Sequence, residues 1–329
     1  MLSNWLSPIA DSEISSFFNQ YYDEKENFPD LTAAKVVVFS RAKPFTLQVR
    51  RALDKLHNHF DITIYDIGNL SSGNISGVYQ ILSELQDGRI IPILIGVNRD
   101  EFIEICNSLL AESKIPIASF ISNKISLQSS KFIVNHLSYQ RHLLPLHEVE
   151  DLISSDFPGL SLGGLRTSQK ILEPILRESN YLHFDLAAIR KSDISGIDLA
   201  IPTGLYAEEA CQIMRYAGES PILNLVTIDI HDLNDTHSNE AMLVAEMIWY
   251  LCEGINIKSM DHPTNGGDFK KYIIEMNEVD HSLEFYQSQI SGKWWFKTGN
   301  QKAKFISCAY EEYEETLNKE LPERLLKLL

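Results

Sequence analysis

Short apolar runs rich in β-branched residues recur along this chain, and stretches with helical spacing fall between them. AKVVVFS from Ala34 reads as a strand, and TLQVRRALDKLHNHF after it spaces Leu47, Val49, Leu53 and Leu56 as one helical face. ITIYDIG from Ile62 and IIPILIG from Ile90 are further strands around a helix, VYQILSELQDG, that Gly88 stops. The pattern continues with a helix over EFIEICNSLLAES, strands at PIASFIS, KFIVNHL and YLHFDLAAI, a helix over LYAEEACQIMRYAG ending at Gly218, a strand in ILNLVTIDIHDL, and a helix over NEAMLVAEMIWYLCEG ending at Gly254. Strands that are apolar throughout are buried on both faces, so the pattern predicts an α/β fold of three layers, a mostly parallel sheet with helices on both sides. Ligand sites in such sheets gather at the carboxyl ends of the strands.

The edges of the chain read differently. Residues 1–33 mix aromatics with acids (SFFNQYYDEKENFPD) and predict a surface helix that closes at Pro29. Residues 256–329 turn to Asp, Asn, Gly and aromatics, and predict an appended strand or hairpin with a short terminal helix. That extension should pack on the main α/β unit, residues 34–255, with Trp294, Trp295 and Phe296 as buried plugs.

Charge narrows the partners. Acidic residues number 45 against 29 Lys and Arg, and a net charge of −16 repels both nucleic acid and anionic lipid. Cys106, Cys211, Cys252 and Cys308 are far apart in sequence and form no CxxC pair, which fits buried free thiols in a reducing compartment. The opening MLSNWLSPIADSE lacks a basic segment followed by an apolar one, and no later run is long enough to span a bilayer, so a cytoplasmic protein is expected.

Four polar residues at strand ends are the candidates for chemistry. His183 and Asp185 are two apart on one strand and share a face, as do Asp229 and His231 on another. They would form either a mononuclear metal site of two imidazoles and two carboxylates or a set of hydrogen-bonded ion pairs in which Arg99 neutralises Asp185. Arg166, after a Gly pair, could meet an anion or a neighbouring carboxylate, and His142 and His147 read as surface histidines. No G-x-S-x-G, Cys-His or G-x-G-x-x-G pattern supports another chemistry.

The stretch Pro202-Thr203-Gly204-Leu205-Tyr206-Ala207-Glu208-Glu209-Ala210 resembles the P-G-G-L-x-x-x-E-A segment of the arginase, agmatinase and formimidoylglutamase superfamily. His183-Phe184-Asp185-Leu186-Ala187 stands in the place of its S-x-D-x-D strand, and Asp229 to Asp235 in that of E-V-N-P-x-x-D. Residues 92–99 resemble P-I-x-L-G-G-D-H, residues 135–139 lie where D-A-H-x-D should be, and Asp66-Ile67-Gly68-Asn69 resembles D-x-G-N. The tail, with HSLEFYQSQISGKWWF and a C-x-Y-E-E-Y ending, is similar to the extension of a bacterial formimidoylglutamase-like branch.

The resemblance implies the ureohydrolase fold and, in the family, hydrolysis of a guanidino or formimino C–N bond by a hydroxide bridging two manganese ions held by two histidines and four aspartates. Carried across, the ligand positions read Arg99, Asn135, Leu137, Tyr139, Asp185 and Ala187, so Asp185 alone keeps its family identity. A guanidinium does not ligate a metal, and a register slip to His136 would turn its side chain to the opposite face. The expectation is a family protein without the two-manganese site, without a cofactor, and with a binding or scaffolding role. The alternative is a C–N hydrolase with one Zn, Fe or Mn ion at His183, Asp185, Asp229 and His231. By the same resemblance a homotrimer or hexamer is expected, with a small guanidino or amino-acid ligand near Asp229.

Overall fold

In a computed structural model, residues 2–10, 15–41, 44–71, 75–109, 115–125, 131–154, 159–275, 282–298, 304–318 and 320–327 are described. The apolar runs form β3 (Val36–Arg41), β4 (Ile64–Leu70), β5 (Ile91–Ile95), β6 (Ile117–Ile121), β7 (Ile133–Tyr139), β9 (Tyr181–Asp185) and β10 (Leu225–Asp229). With the two-residue strands β1 (Leu6–Ser7), β2 (Gln20–Tyr21) and β8 (Leu160–Ser161) they make one ten-stranded sheet in the order β1-β4-β3-β5-β10-β9-β6-β7-β8, with β2 also on β4. Every pairing is parallel except β1 with β4. The α/β fold with helices on both faces follows, as the alternation predicts.

One face carries α1 (Pro44–Leu53), α5 (Leu162–Thr167), α6 (Gln169–Arg177), α7 (Ala207–Gly218) and α8 (Ser238–Ile257), packed on Val38, Ile93, Val226, Leu182 and Ile121. The other carries α2 (Ile75–Asp87) and α3 (Arg99–Ser108), packed on Val37, Leu94, Leu225 and Phe120. Helix α4 (Leu146–Ser154) follows β7. The part of the α3 expectation beyond Leu109 lies outside the described residues.

Gly254 corrects one expected boundary. It does not end α8, which runs on to Ile257. It sits where α8 crosses α7: a Cβ there would stand 2.1 Å from the Arg215 carbonyl oxygen, and one on Gly218 would stand 2.3 Å from that of Leu251. The glycines let two helix backbones approach, which no boundary rule detects.

The N-terminal expectation is also corrected. Among its described residues the segment has 3-10 turns at Leu2–Asn4 and Leu31–Ala33 and the strands β1 and β2, with no α-helix. Its aromatics are spent on the core: Phe17, Phe18 and Tyr22 are buried, and Tyr22 donates its backbone N–H to Asp66 across the β2–β4 pair. A run of aromatics without helical spacing caps a sheet edge more readily than it forms an amphipathic helix.

The extension is larger than a hairpin. Strands β11 (Phe269–Ile274), β12 (Leu283–Ser288), β13 (Trp294–Lys297) and β14 (Phe305–Cys308) form an antiparallel sheet in that order, followed by α9 (Tyr310–Leu317) and α10 (Glu323–Leu326). Alternation on β13 sends Trp294 and Phe296 into the extension's own core and leaves Trp295 for the main unit. There the Arg177 guanidinium stacks 4.5 Å over the Trp295 ring and donates to the Trp294 carbonyl at 2.9 Å.

Candidate functional site

Strands β9 and β10 are neighbours, with Asp185 level with Asp229 and His183 level with Thr227. Apolar residues hold both strands, and at their carboxyl ends the sequence turns polar. The expected strand over YLHFDLAAI stops at Asp185, because Asp185 Oδ1 accepts the Ala187 N–H at 2.8 Å and caps a 3-10 turn over Leu186–Ala188. Asp229 makes the matching turn, accepting the His231 N–H at 3.0 Å.

That turn needs His231 in the left-handed region, at φ 48°, a conformation that a side chain with a Cβ seldom adopts. The backbone thereby folds the imidazole back over β9, where Nε2–H donates to Asp185 Oδ1 at 2.7 Å and lies 4.0 Å from Asp229 Oδ2. Asp185 Oδ2 accepts the Ser122 hydroxyl at 3.1 Å. Asp185, Asp229 and His231 offer ligand atoms that all lie within 4.8 Å of one another, and all three are partly exposed.

The electrostatics are those of an ion pair. Burial lowers the His231 pKa, but its hydrogen bond to Asp185 and the charges of Asp185, Asp229 and Asp232 outweigh that and raise it. Burial raises the Asp185 pKa, and the His231 hydrogen bond and charge outweigh it and lower it. Each group of the pair thus favours the charged form of the other.

His183 does not join this group. It is fully buried, stacked on Phe102 with ring centroids 5.0 Å apart, and its Nδ1 shares a hydrogen bond of 2.8 Å with the Thr227 hydroxyl. Nε2 has no hydrogen-bond partner among the described residues, and burial pushes the ring's pKa down to about 4. It is a neutral core histidine under α3. His136 sits on the same face, level with His183 across Phe120, and is held near 4 by burial and by Arg99. Its neighbour Leu137 points into the opposite core, so His136 faces away from the ligand position that the resemblance assigns to Leu137.

Arg99 does not neutralise Asp185. It is the first residue of α3, exposed, donates to the Ile125 carbonyl at 3.2 Å and lies 3.8 Å from Asp100. The capping box of Asn98 and Glu101 fixes α3 so that Arg99 starts the helix. Of the other positions that the resemblance assigns to ligands, Leu137 and Ala187 are packed in the core beneath α5 to α8, while Asn135 and Tyr139 are buried on β7. Arg166 meets a carboxylate, donating to Glu209 at 2.9 and 3.0 Å with its guanidinium over the Tyr206 ring. His142 and His147 are exposed.

Two residues at the end of β6 belong to the site and were not found from sequence. Ser122 holds Asp185, and the Asn123 amide donates to the Ala187 carbonyl at 3.1 Å. Their signal was available: a Ser-Asn step directly after the apolar run IASFI, at the carboxyl end of a neighbouring strand.

No family sequence model and no curated protein matches the chain. Solved structures do. A formiminoglutamase of Trypanosoma cruzi, solved with manganese, superposes with a TM-score of 0.58 at 15% identity over 70% of this chain and 96% of that one. An agmatine ureohydrolase of Thermoplasma volcanium gives 0.51 at 13% identity over 69% and 91%. A formimidoylglutamase of Bacillus subtilis gives 0.54 at 10% identity over 78% and 92%. Among the described residues no helix is long and apolar enough to cross a membrane.

Proposed function

We propose that this chain, whose fold is that of the arginase and ureohydrolase superfamily, binds a small guanidino or amino-acid ligand at the ends of β9 and β10 and does not hydrolyse it through a pair of manganese ions. The observation that carries the reading is the packing of Leu137 and Ala187 in the apolar core, where the resemblance places a histidine and an aspartate ligand. Two divalent ions a few ångströms apart need several carboxylates and imidazoles to balance their charge. Asp185 alone, already bonded to His231, Ala187 and Ser122, does not fit that need.

A cationic ligand suits what is present. Asp229 and Asp185 place two carboxylates at a solvent-reachable strand end, and an incoming guanidinium would replace the imidazolium as their partner. The experiment is a thermal-shift screen of guanidino and amino-acid compounds, with metal content measured before and after incubation with manganese and zinc. A ligand at a hundred times its Kd should add about 2.7 kcal/mol of stability. Two manganese per chain, or hydrolysis of arginine, agmatine or formiminoglutamate with manganese added, would overturn the reading.

A second reading has its own observation. Asp185, Asp229 and His231 could hold one Zn, Fe or Mn ion, a donor set that such an ion accepts, and the chain would then be a C–N hydrolase. When bound, that ion would supply a water of lowered pKa. One tightly held ion per chain that Asp229→Asn removes would favour this reading over the first. A trimer or hexamer is proposed on the resemblance alone, and light scattering on the purified chain tests it.

A further inference from the structure

Away from the strand ends, a cavity of about 580 Å³ opens between the segment after α1, the first turns of α7 and the middle of α8. Helical spacing builds its walls: Glu208 and Cys211 are three apart on α7, and Glu246, Trp249 and Tyr250 stand at i, i+3 and i+4 on α8. The volume lies within the range of about 300–1,000 Å³ that small-molecule sites occupy.

The aromatic wall is held in place before any ligand arrives. Trp249 donates its indole N–H to the His57 carbonyl at 2.8 Å, and its ring packs 5.1 Å from Phe60 and 5.2 Å from Tyr250. In the acidic wall Glu246 stands without a matching cation among the described residues. Among the described residues Glu246 accepts no hydrogen bond and joins no ion pair, and burial raises its pKa. Cys211, only 7% exposed, is likewise without a partner, and burial followed by the charges of Glu246 and Glu208 pushes its thiol up to about 12. Glu208 and Glu246 both line the cavity, from α7 and α8. Lys55 at the rim forms no ion pair with either.

We propose that this cavity binds an organic ammonium ion with a short apolar body, its cation between Glu246 and Glu208 and its body against Trp249 and Tyr250. A desolvated carboxylate leaves a site for a cation, and aromatic faces attract one through their ring quadrupoles. An anion would meet two carboxylates. A bare metal ion would find no triad of ligand atoms there among the described residues. The inference is independent of the site at β9 and β10.

The full chain titrated calorimetrically with phenethylammonium chloride, and with phenethyl alcohol as the neutral match, tests it. Saturable binding of one ammonium per chain is expected, at least tenfold tighter than the alcohol. Glu246→Gln should weaken the ammonium at least tenfold while keeping the fold, since the amide relieves a desolvated charge. Tyr250→Ala, at an exposed position, should weaken it several-fold, and Asp229→Asn should leave it unchanged. Equal affinity for ammonium and alcohol, an unaffected Glu246→Gln together with an unaffected Tyr250→Ala, or no saturation up to about 10 mM would overturn the proposal.

Discussion

Two carboxylate centres lie on the same sheet and have been put to different uses. Asp66 on β4 is fully buried, and both its oxygens are taken: the Arg50 guanidinium donates at 2.7 and 3.3 Å and the Gly68 N–H at 2.9 Å. Arg50 continues to Asn69 at 3.0 Å, which also accepts the Ser40 hydroxyl at 2.8 Å, so the polar set closes on itself. Asp185 on β9 is also paired, but its partner is an imidazole swung in by a strained backbone, and its neighbour Asp229 stands beside the pair. Side chains in that group remain 13–19% exposed, against 0–5% for Asp66 and Arg50. A closed charge network holds a fold, while an open one whose cation can be exchanged is what a ligand needs.

The largest expected effect tests the closed side. Arg50→Ala leaves the Asp66 carboxylate buried without its cation, and breaking a buried pair in this way costs about 3–5 kcal/mol. Denaturant titration should show that loss, and Arg50→Lys should recover only part of it because an ammonium cannot bond both oxygens in the plane of the carboxylate. A loss below about 1 kcal/mol for Arg50→Ala would mean that Asp66 finds another partner, and the contrast with Asp185 would weaken.

The open centre was legible residue by residue, whereas of the closed one only the strand motif was read and its Arg50 partner was not. Asp66, Gly68 and Asn69 stand in a short motif, and the apolar runs around them announced the strands. At β9 and β10 the alternation rule placed His183 with Asp185 and Asp229 with His231, and it was right about the faces of a regular strand. It failed on depth at His183, inside β9, and on backbone conformation at His231, past the end of β10. His183 lies deep enough to be covered by Phe102, whereas His231 is reached only through a left-handed residue that is not a glycine. Nothing in a single sequence marks that conformation. Arg99 was read as a charge partner because of its motif position, yet the α3 cap directs it toward Ile125.

A carboxylate in the extension, Glu284, is about as exposed as Asp185, at 21% against 19%, but is held by two cations, Lys271 and Lys297. Burial works to raise the pKa of Glu284, and hydrogen bonds from Lys271, Lys297 and Tyr286 outweigh burial and hold it down at about 2. Because the folded value is depressed, the stability it contributes is complete above its ordinary pKa of 4.5 and is lost as pH falls from there toward 2. Partial exposure limits the loss to about 1–2 kcal/mol. Comparing Glu284→Gln with the parent across pH 2 to 7 by denaturant titration isolates this share, since the variant should lack that part of the acid sensitivity.

The smallest change in stability is expected where the effect on binding should be largest. Asp185→Asn keeps the Ala187 hydrogen bond through Oδ1, its amide nitrogen takes the place of Oδ2 and can donate to the Ser122 hydroxyl, and it removes the charge that raises the His231 pKa. His231 can then lose its proton instead of remaining an uncompensated cation, so the cost to folding should stay near 1 kcal/mol. Ligand-induced stabilisation, or retention of a single metal ion, should fall at least tenfold in the same protein, because both readings of the site use that carboxylate. If instead Asp185→Asn destabilises the chain as much as Arg50→Ala and leaves binding untouched, Asp185 is a second closed centre. The open site would then have to be sought around Asp229 without it.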